Sequence, residues 1–516
     1  MISDDQSAVV AFLESPDTHG GETVTRIDTH TAFVFLAGAR AWKLKRAARY
    51  DYLDFSTVER RRAACEGELR LNTRTAPAIY IGVVPVVRRQ DGSLAIGGPG
   101  TAVDWLVEMN RFDERHLFDR LAARNELGLD LMRPLAAAIA RLHAGADARP
   151  DHGGQAGIRW VATGNAEGFA RFGGSILDDA ACRRLTGATL REIEHQGALL
   201  DSRRAGGLVR QCHGDLHLRN IVLLDGQPTI FDAIEFNDEI ACTDVLYDLA
   251  FLLMDLWRRQ LPRHANAVWN GYLTETGDHS GIRLLPLFLS CRAAVRAKTT
   301  ATAMHLQRDP DTRREQERAA RDYLAMAWRF LQPAPPCVVA IGGFSGTGKS
   351  TLALALAAGV GAPPGAVVLR SDEIRKQLCG VRPLERLGPE GYAPDVSRRV
   401  YAALGAYTAT IVQAGLSVIA DAVYAMPAQR EAIEQAASES GVPFVGIWLD
   451  APEALLTERL QQRTGDASDA DASVLRTQQA QGAGPMTWHR LDASAPADAV
   501  LADAGSHVAT SMTPTS

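Results

Sequence analysis

The chain has 516 residues, of which 46% are hydrophobic and 22% charged, a composition that excludes fibrous and wholly disordered classes. Its 55 basic and 61 acidic residues give a formal charge of -6, which argues against a protein that coats nucleic acid over its whole surface, though a local basic groove remains compatible. The seven cysteines are scattered without a C-x-x-C pair, the N-terminus lacks a secretory pattern, and no run approaches the about 18 apolar residues of a membrane span. A cytoplasmic protein with reduced thiols and no membrane partner is therefore expected.

In chain order, 9–14 reads as a lead-in helix, 23–27 and 32–36 as strands, and 40–45 as a third strand after a turn at Ala37-Gly38. Side chains alternate along a strand, so Lys43 and Lys45 share one face, where one of them can hold the α and β phosphates of a nucleotide. The charged run 56–74 predicts a helix capped by Ser56 or Thr57, and a glutamate within it, Glu66 or Glu68, can orient the strand lysine. Residues 79–88 and 102–109 read as further strands. A mainly helical region runs from about Glu114 to Leu208.

The informative stretch of this half is 211–235, Q-C-H-G-D-L-H-L-R-N-I-V-L-L-D-G-Q-P-T-I-F-D-A-I-E. Strands at 221–224 and 229–231 flank a turn at Asp225-Gly226, so a loop leads into a hairpin that returns Asp232 towards Asp215 and Asn220. Phosphoryl transfer needs a carboxylate beside the attacking hydroxyl and oxygen ligands for Mg²⁺. Asp215 suits the first role, and Asn220 and Asp232 the second. His213 and His217 lie four apart, but a loop rather than a helix carries them, so His213 is expected to orient backbone rather than bind metal.

These residues resemble the aminoglycoside phosphotransferase and choline kinase group, whose loop H-G-D-x-H-x-x-N is followed by a hairpin aspartate. The resemblance implies a bilobal protein-kinase-like fold, Asp215 as catalytic base, and Asn220 and Asp232 as magnesium ligands. It also implies Lys45, with Lys43 as second choice, for the nucleotide lysine, and Glu68, with Glu66 as second choice, for its partner. Asp248, in a helix at 244–250, is expected to cap or ion-pair. One departure is Asp28-Thr29-His30-Thr31, which lacks the glycines of a protein-kinase phosphate loop.

A charged helix at 311–330 ends at Q-P-A-P-P, residues 332–336, the clearest linker in the chain. The expected organisation is a first domain over 1–331, this linker, a second domain over 337–496, and a frayed tail over 497–516.

The second domain opens with the apolar run 337–341, then G-F-S-G-T-G-K-S at 343–350, then helix-forming residues from Thr351. Strand, glycine loop and helix are the context that a G-x-x-x-x-G-K-(S/T) phosphate cradle requires. Gly343, Ser345, Gly346, Thr347, Gly348, Lys349, Ser350 and Thr351 are accordingly expected to hold the nucleotide, with Lys349 on phosphate and the Ser350 hydroxyl on Mg²⁺. Further strands at 366–369, 416–420 and 444–449, separated by helices, predict a parallel sheet covered on both faces. Asp372 lies past the C-terminal end of a strand, where such sheets bind ligands, and is the expected base for the acceptor.

This half resembles the small-molecule and nucleic-acid kinases of the P-loop class, such as gluconate kinase, shikimate kinase and polynucleotide kinase. That resemblance implies Asp421 as a second acidic position for the metal, Arg375 beside the base, and Arg463, with Arg459 as alternative, as a lid arginine on the transferred group. The order of the two halves also resembles bacterial fusions of an aminoglycoside phosphotransferase-like module with an ATP-binding P-loop module. The expectation is an enzyme of mixed α/β and α+β fold that uses ATP and Mg²⁺ to phosphorylate a hydroxyl of a small molecule. The alternatives are a polynucleotide 5'-hydroxyl kinase in the second half, and a nucleotide-binding regulator with one inactive half.

Overall fold

The structure is a computed structural model that describes residues 4–50, 52–172, 176–304, 309–382, 385–462 and 467–512. By internal contact it divides into two compact units, Met1–Asp255 and Leu256–Ser516. The division falls upstream of the proline-rich stretch 332–336.

The first unit opens with α1 (Ser7–Glu14) and an antiparallel sheet built from β1 (Val24–Asp28), β2 (Ala32–Ala37), β3 (Arg40–Lys45), β6 (Tyr80–Arg88), β7 (Leu94–Ile96) and β8 (Thr101–Asn110), with the short hairpin β4 (Arg49–Tyr50) and β5 (Leu53–Asp54) beside it. The sheet order is β1-β2-β3-β8-β6-β7. The helix α2 (Val58–Asn72) starts where the Thr57 hydroxyl accepts the Arg60 amide, the ordinary use of a threonine cap. Cys65 on α2 joins Ala41, Tyr80 and Val107 in one core, while Val9 and Leu13 of α1 pack with Phe35 and Leu44 in another. Period-two alternation on the strands separates these sets.

Helices follow as α3 (Phe118–Ala123), α4 (Met132–Ala144), α5 (Gly154–Phe172), α6 (Asp179–His195) and α7 (Gly197–Ala205). Next come β9 (Val209–Gln211), the hairpin β10 (Ile221–Leu224) and β11 (Gln227–Ile230), α8 (Asp238–Ala241), β12 (Cys242–Asp244), antiparallel to β9, and α9 (Val245–Arg258). The helix expected at 244–250 thus begins one residue late, because Asp244 pairs with Val209 in the sheet.

The second unit contains α10 (Pro262–Thr276), α11 (Leu285–Met304) and α12 (Pro310–Phe330). It then alternates β13 (Val338–Gly343), α13 (Lys349–Ala357), β14 (Val367–Arg370), α14 (Ser371–Leu378), α15 (Pro394–Gln413), β15 (Val418–Asp421), α16 (Pro427–Glu439), β16 (Phe444–Asp450), α17 (Glu453–Gln462), α18 (Ala472–Gln481), β17 (His489–Asp492) and α19 (Ala497–Met512). The five strands are parallel in the order β14-β15-β13-β16-β17. The buried β-branched and alanine residues of β13 explain its central place, since such a strand has no polar face to offer water.

Residues 497–512 of the stretch expected to be a frayed tail correct that expectation. Residues Ala497–Met512 form a helix whose Val500, Leu501, Ala504, Val508 and Met512 pack into the core shared by β13 and α13. Those positions recur at helical spacing, so burying the stripe repays the ordering of the chain end. All seven cysteines are free thiols. Among the described residues, no helix is long and apolar enough to cross a membrane.

Candidate active sites

In the first unit, β3 and α2 meet through charge. Lys43 Nζ donates to Glu68 Oε1 at 2.8 Å and to Asp232 Oδ1 at 2.5 Å. Lys45 Nζ donates to the other oxygen of Glu68 and to Glu235 Oε1, the latter at 2.5 Å. Burial alone would raise the Glu68 carboxyl, but the two ammonium groups outweigh it and hold it down at about 2. Burial pushes the Glu235 carboxyl up against the pull of Lys45. Glu66 is exposed and pairs with Arg62, away from both lysines.

The loop after β9 is fixed by backbone hydrogen bonds rather than by its own regular structure. Asp248 of α9 accepts from the His213 amide through Oδ2 at 3.2 Å and from the Gly214 amide through Oδ1 at 2.8 Å. His213 donates from Nε2 to the Phe231 carbonyl at 2.8 Å and accepts the Asp215 amide on Nδ1 at 3.2 Å, which defines one neutral tautomer. Burial lowers its pKa and favours that neutral form. The His213 ring therefore orients backbone, and Asp248 anchors the whole turn.

Asn220 donates from Nδ2 to the Asp215 carbonyl at 3.0 Å and to Asp215 Oδ2 at 3.3 Å, while its own carbonyl accepts the Phe231 amide at 3.0 Å. Asp232 has φ +65°, a left-handed turn that costs energy in a non-glycine residue. The Tyr80 hydroxyl holds it there, accepting the Asp232 amide at 3.3 Å and donating to Glu68 Oε1 at 3.4 Å. Asp215, Asn220 and Asp232 offer hard oxygen donors of the type Mg²⁺ takes.

In the second unit, the glycine loop turns between β13 and α13. Gly346 has φ +87°, and a Cβ there would lie 2.7 Å from the Leu456 carbonyl, so no larger residue fits. Lys349 Nζ donates to the Phe344 carbonyl at 3.0 Å, and the Thr347 hydroxyl to the same oxygen at 2.8 Å. The Ser350 hydroxyl donates to Asp421 Oδ2. Register explains the last contact, since Asp421 ends β15 opposite Ile341 of β13 and Arg370 of β14. Arg370 reaches Ser350 Oγ at 3.1 Å and lies 3.6 Å from Asp421. Burial raises the Asp421 carboxyl, with Arg370 and then Lys349 opposing it. Ser350 and Asp421 together also suit a hard cation.

A cavity of about 620 Å³ opens on this loop and is lined by Gly346 to Thr351 together with Asp372, Arg375 and Asp421. Arg375 is buried, donates to the Gly391 carbonyl at 2.9 Å, and lies over the Tyr392 ring at 4.9 Å. Arg459 also lines the cavity and donates to the Ala493 carbonyl at 2.9 Å. Arg463 lies outside the described residues. Gly343 stands before the cradle, with φ +144° and close to the Leu449 carbonyl.

Sequence reasoning missed several residues of these sites. Glu235 stands three residues after Asp232 in the same motif, and its charge at the end of an apolar hairpin was a usable signal. Tyr392 and Gln478, which line the cavity, and Arg370 and Asp469, which contact Ser350 and Tyr392, carried none, because only the turns of the chain bring them there. Within α11, Arg292 is buried and Arg296 lies over the Tyr323 ring at 5.7 Å.

Comparison with known proteins agrees with both folds. Residues 37–285 match the model of the phosphotransferase enzyme family, and residues 338–485 match an AAA domain. The uncharacterized protein Rv2004c of Mycobacterium tuberculosis is 31% identical over 487 residues, covering 91% of this chain and 92% of the relative. An adenylyl-sulfate kinase of Myxococcus xanthus is 33% identical over 117 residues, 23% of this chain and 59% of that protein. Among solved structures, the amicoumacin kinase hAmiN covers 63% of this chain and 94% of its own, at 13% identity and a TM-score of 0.40.

The units therefore define a protein with two kinase-type phosphotransferase domains, one of aminoglycoside phosphotransferase-like fold and one of P-loop kinase fold. The chain belongs to the two-domain family that includes the mycobacterial protein Rv2004c, which it matches across nearly its whole length.

Proposed function

We propose that each unit is an ATP- and Mg²⁺-dependent kinase that transfers the γ-phosphoryl group to a hydroxyl of a small molecule. The observation that carries this reading is the second unit's cavity, where the glycine loop with Lys349 and the carboxylate of Asp372 line one space. Its volume of about 620 Å³ is in the range of small-ligand sites. Lys349 and the loop amides of Gly346, Thr347 and Gly348 hold phosphate oxygens, Ser345 and Thr351 flank them, and Asp372 takes the proton of the acceptor hydroxyl. Arg375, tied to Gly391, shapes the acceptor wall. Mg²⁺ would be held by Ser350 and Asp421 and would neutralise charge on the phosphates.

In the first unit, Asp215 is the base, and Asn220 and Asp232 would hold the metal. The contacts support Lys43 over Lys45 as the nucleotide lysine, because Lys43 alone of the two reaches both Glu68 and Asp232. Glu68 then orients Lys43, and the Lys45–Glu235 pair braces Glu68 from behind.

The test is transfer of labelled γ-phosphate to pooled metabolites and oligonucleotides by wild type, Asp215→Ala and Lys349→Ala. A product lost only in Asp215→Ala belongs to the first unit, and one lost only in Lys349→Ala to the second. Phosphorylated oligonucleotide would replace the small-molecule reading of that unit, and ATP binding without any product would reduce the pair to nucleotide-binding regulation.

A further inference from the structure

The helix α18 meets the phosphate cradle as a fixed part of the second unit, because buried charge anchors the chain on both sides of it. Before it, Asp469 pairs with the buried Lys376 at 3.1 Å, and its Oδ2 accepts the Leu387 amide at 3.0 Å and the Tyr392 hydroxyl at 2.8 Å. After it, the buried Arg430 donates from Nη2 to the Ala483 carbonyl at 3.0 Å and to the Pro485 carbonyl at 2.7 Å. Between these anchors Leu475 packs with Leu456, Leu460 and Phe344, the residue before Ser345.

On that helix Gln478 turns its carboxamide to the glycine loop. Its Oε1 accepts the Ser345 amide at 2.9 Å, and since an N–H must face an oxygen, the other end of the group is the Nε2 donor. Gln478 lines the cavity, and its Nε2 has no hydrogen-bond partner among the described residues. Ser468, Ala470, Val474 and Gln478 form one wall of that cavity. The wall begins at Asp469, beside Lys376 on the helix of Asp372 and beside the Tyr392 that lies over Arg375, and it ends at the loop. A phosphoryl group passing from the cradle to the acceptor travels along it.

We propose that Gln478 is a binding residue for the γ-phosphate: the Ser345 amide holds its carboxamide in place, and the carboxamide presents Nε2 to the oxygens of the transferred group. This assignment rests on the nucleotide-binding reading of the loop. A neutral donor suits the place, because Lys349 already brings positive charge to the phosphates and an amide N–H adds a hydrogen bond without a further charge to desolvate. Since α18 is anchored at both ends, the donor stands in position before the nucleotide arrives, and a preorganised donor favours charge that shifts during transfer. A nucleoside diphosphate lacks the group that Nε2 addresses. Gln478 therefore separates triphosphate from diphosphate and favours release of the product nucleotide.

The experiment measures binding of Mg²⁺·AMP-PNP and of Mg²⁺·ADP to the full chain by titration calorimetry, taking as the second unit's signal the part that Lys349→Ala removes. Gln478→Ala should weaken AMP-PNP about tenfold, the worth of one hydrogen bond to a charged group, and change ADP by less than about twofold. Gln478→Glu keeps an oxygen for the Ser345 amide but puts a second oxygen where the donor stood, so AMP-PNP should weaken by more than about tenfold and ADP by less. Equal loss for both nucleotides would reduce Gln478 to a prop of the loop and overturn the assignment. Unchanged or tighter AMP-PNP binding by Gln478→Ala would overturn it as well, the tighter result by showing that the freed Ser345 amide is the better phosphate donor. Absence of any Lys349-dependent binding in wild type would instead overturn the underlying nucleotide reading, and the γ-phosphate assignment with it.

Discussion

The side-chain oxygen of Asn270 accepts the Val368 amide at 2.7 Å, which fastens α10 along the outer edge of the parallel sheet. Strand β14 is an edge strand, and its free N–H and C=O groups would otherwise face solvent or another chain. Asn266 and Asn270 cover them, donating to the Ala366 carbonyl at 3.0 and 3.2 Å. Yet α10 falls inside the 37–285 match to the phosphotransferase family. A helix of one family's sequence thus completes the other family's sheet.

Asn270→Leu keeps the volume but strands the Val368 amide, and leaving a buried donor without a partner costs about 1–3 kcal/mol. The second unit's urea-unfolding midpoint should fall accordingly. A fragment covering 259–516 should remain soluble and monomeric, whereas 332–516, cut at the proline-rich stretch, should self-associate through β14. Equal behaviour of the two fragments in light scattering would show that α10 is dispensable to the sheet.

Lys43 and Lys45 separate by what they leave behind. Lys45 is 2% exposed and faces Glu68 and Glu235, both buried. Lys45→Met removes the partner of a buried carboxylate, a change that costs about 3–5 kcal/mol, so the first unit should lose stability. Lys43 faces Asp232, whose side chain is 42% exposed and can turn to water. Lys43→Met should therefore keep more of the fold and lose Asp215-dependent phosphate transfer. Thermal unfolding and transfer assays on both variants check the assignment, and the reverse pattern would restore Lys45 to the nucleotide.

Why the sequence left that choice open is physical. Alternation along β3 places both lysines on one face, and only the arrival of Asp232 and Glu235 from the distant hairpin distinguishes them. Features set by local spacing were legible: the Thr57 cap, the hairpin turn at Asp225-Gly226, the glycine loop and the Asp421 strand end all appear where composition and periodicity put them. Features set by the return of remote segments were not, as Gln478 on the Ser345 amide and Asn270 on β14 illustrate. The β17 strand escaped notice because His489–Asp492 has only Leu491 as a buried position and so lacks an apolar run.

Glu68 also gives the first unit an acid sensitivity of defined sign. Its carboxyl is held at about 2, below the 4.5 of an unperturbed glutamate, so its contribution is complete above about pH 4.5 and is lost as pH falls towards 2. Glu235 is shifted upward by burial and works in the opposite direction. Glu68→Gln should lower stability at neutral pH and flatten its fall between pH 4.5 and 2 relative to wild type. Denaturant midpoints measured across that window test this, and parallel curves would mean that Glu68 is not the titrating group.

The chain end supplies a sharper contrast between the two descriptions of 497–516. A frayed tail could be removed without effect. The helix α19 instead places Val500, Leu501, Ala504 and Val508 on the core of β13 and α13, and Ala497, Asp498, Val500 and Leu501 also line the cavity. Deleting 497–516 would expose Leu356, Ala353 and their neighbours, and re-exposing several buried aliphatic side chains costs about 1.5–3 kcal/mol for each one fully buried. The deletion should abolish Lys349-dependent nucleotide binding while Asp215-dependent chemistry persists. Deleting only 513–516 should leave both intact. Val508→Asp, which puts an unpaired charge into the same core, should reproduce the loss without shortening the chain. If the 497–516 deletion binds nucleotide with wild-type affinity, α19 is neither a wall of the cavity nor a support for the sheet.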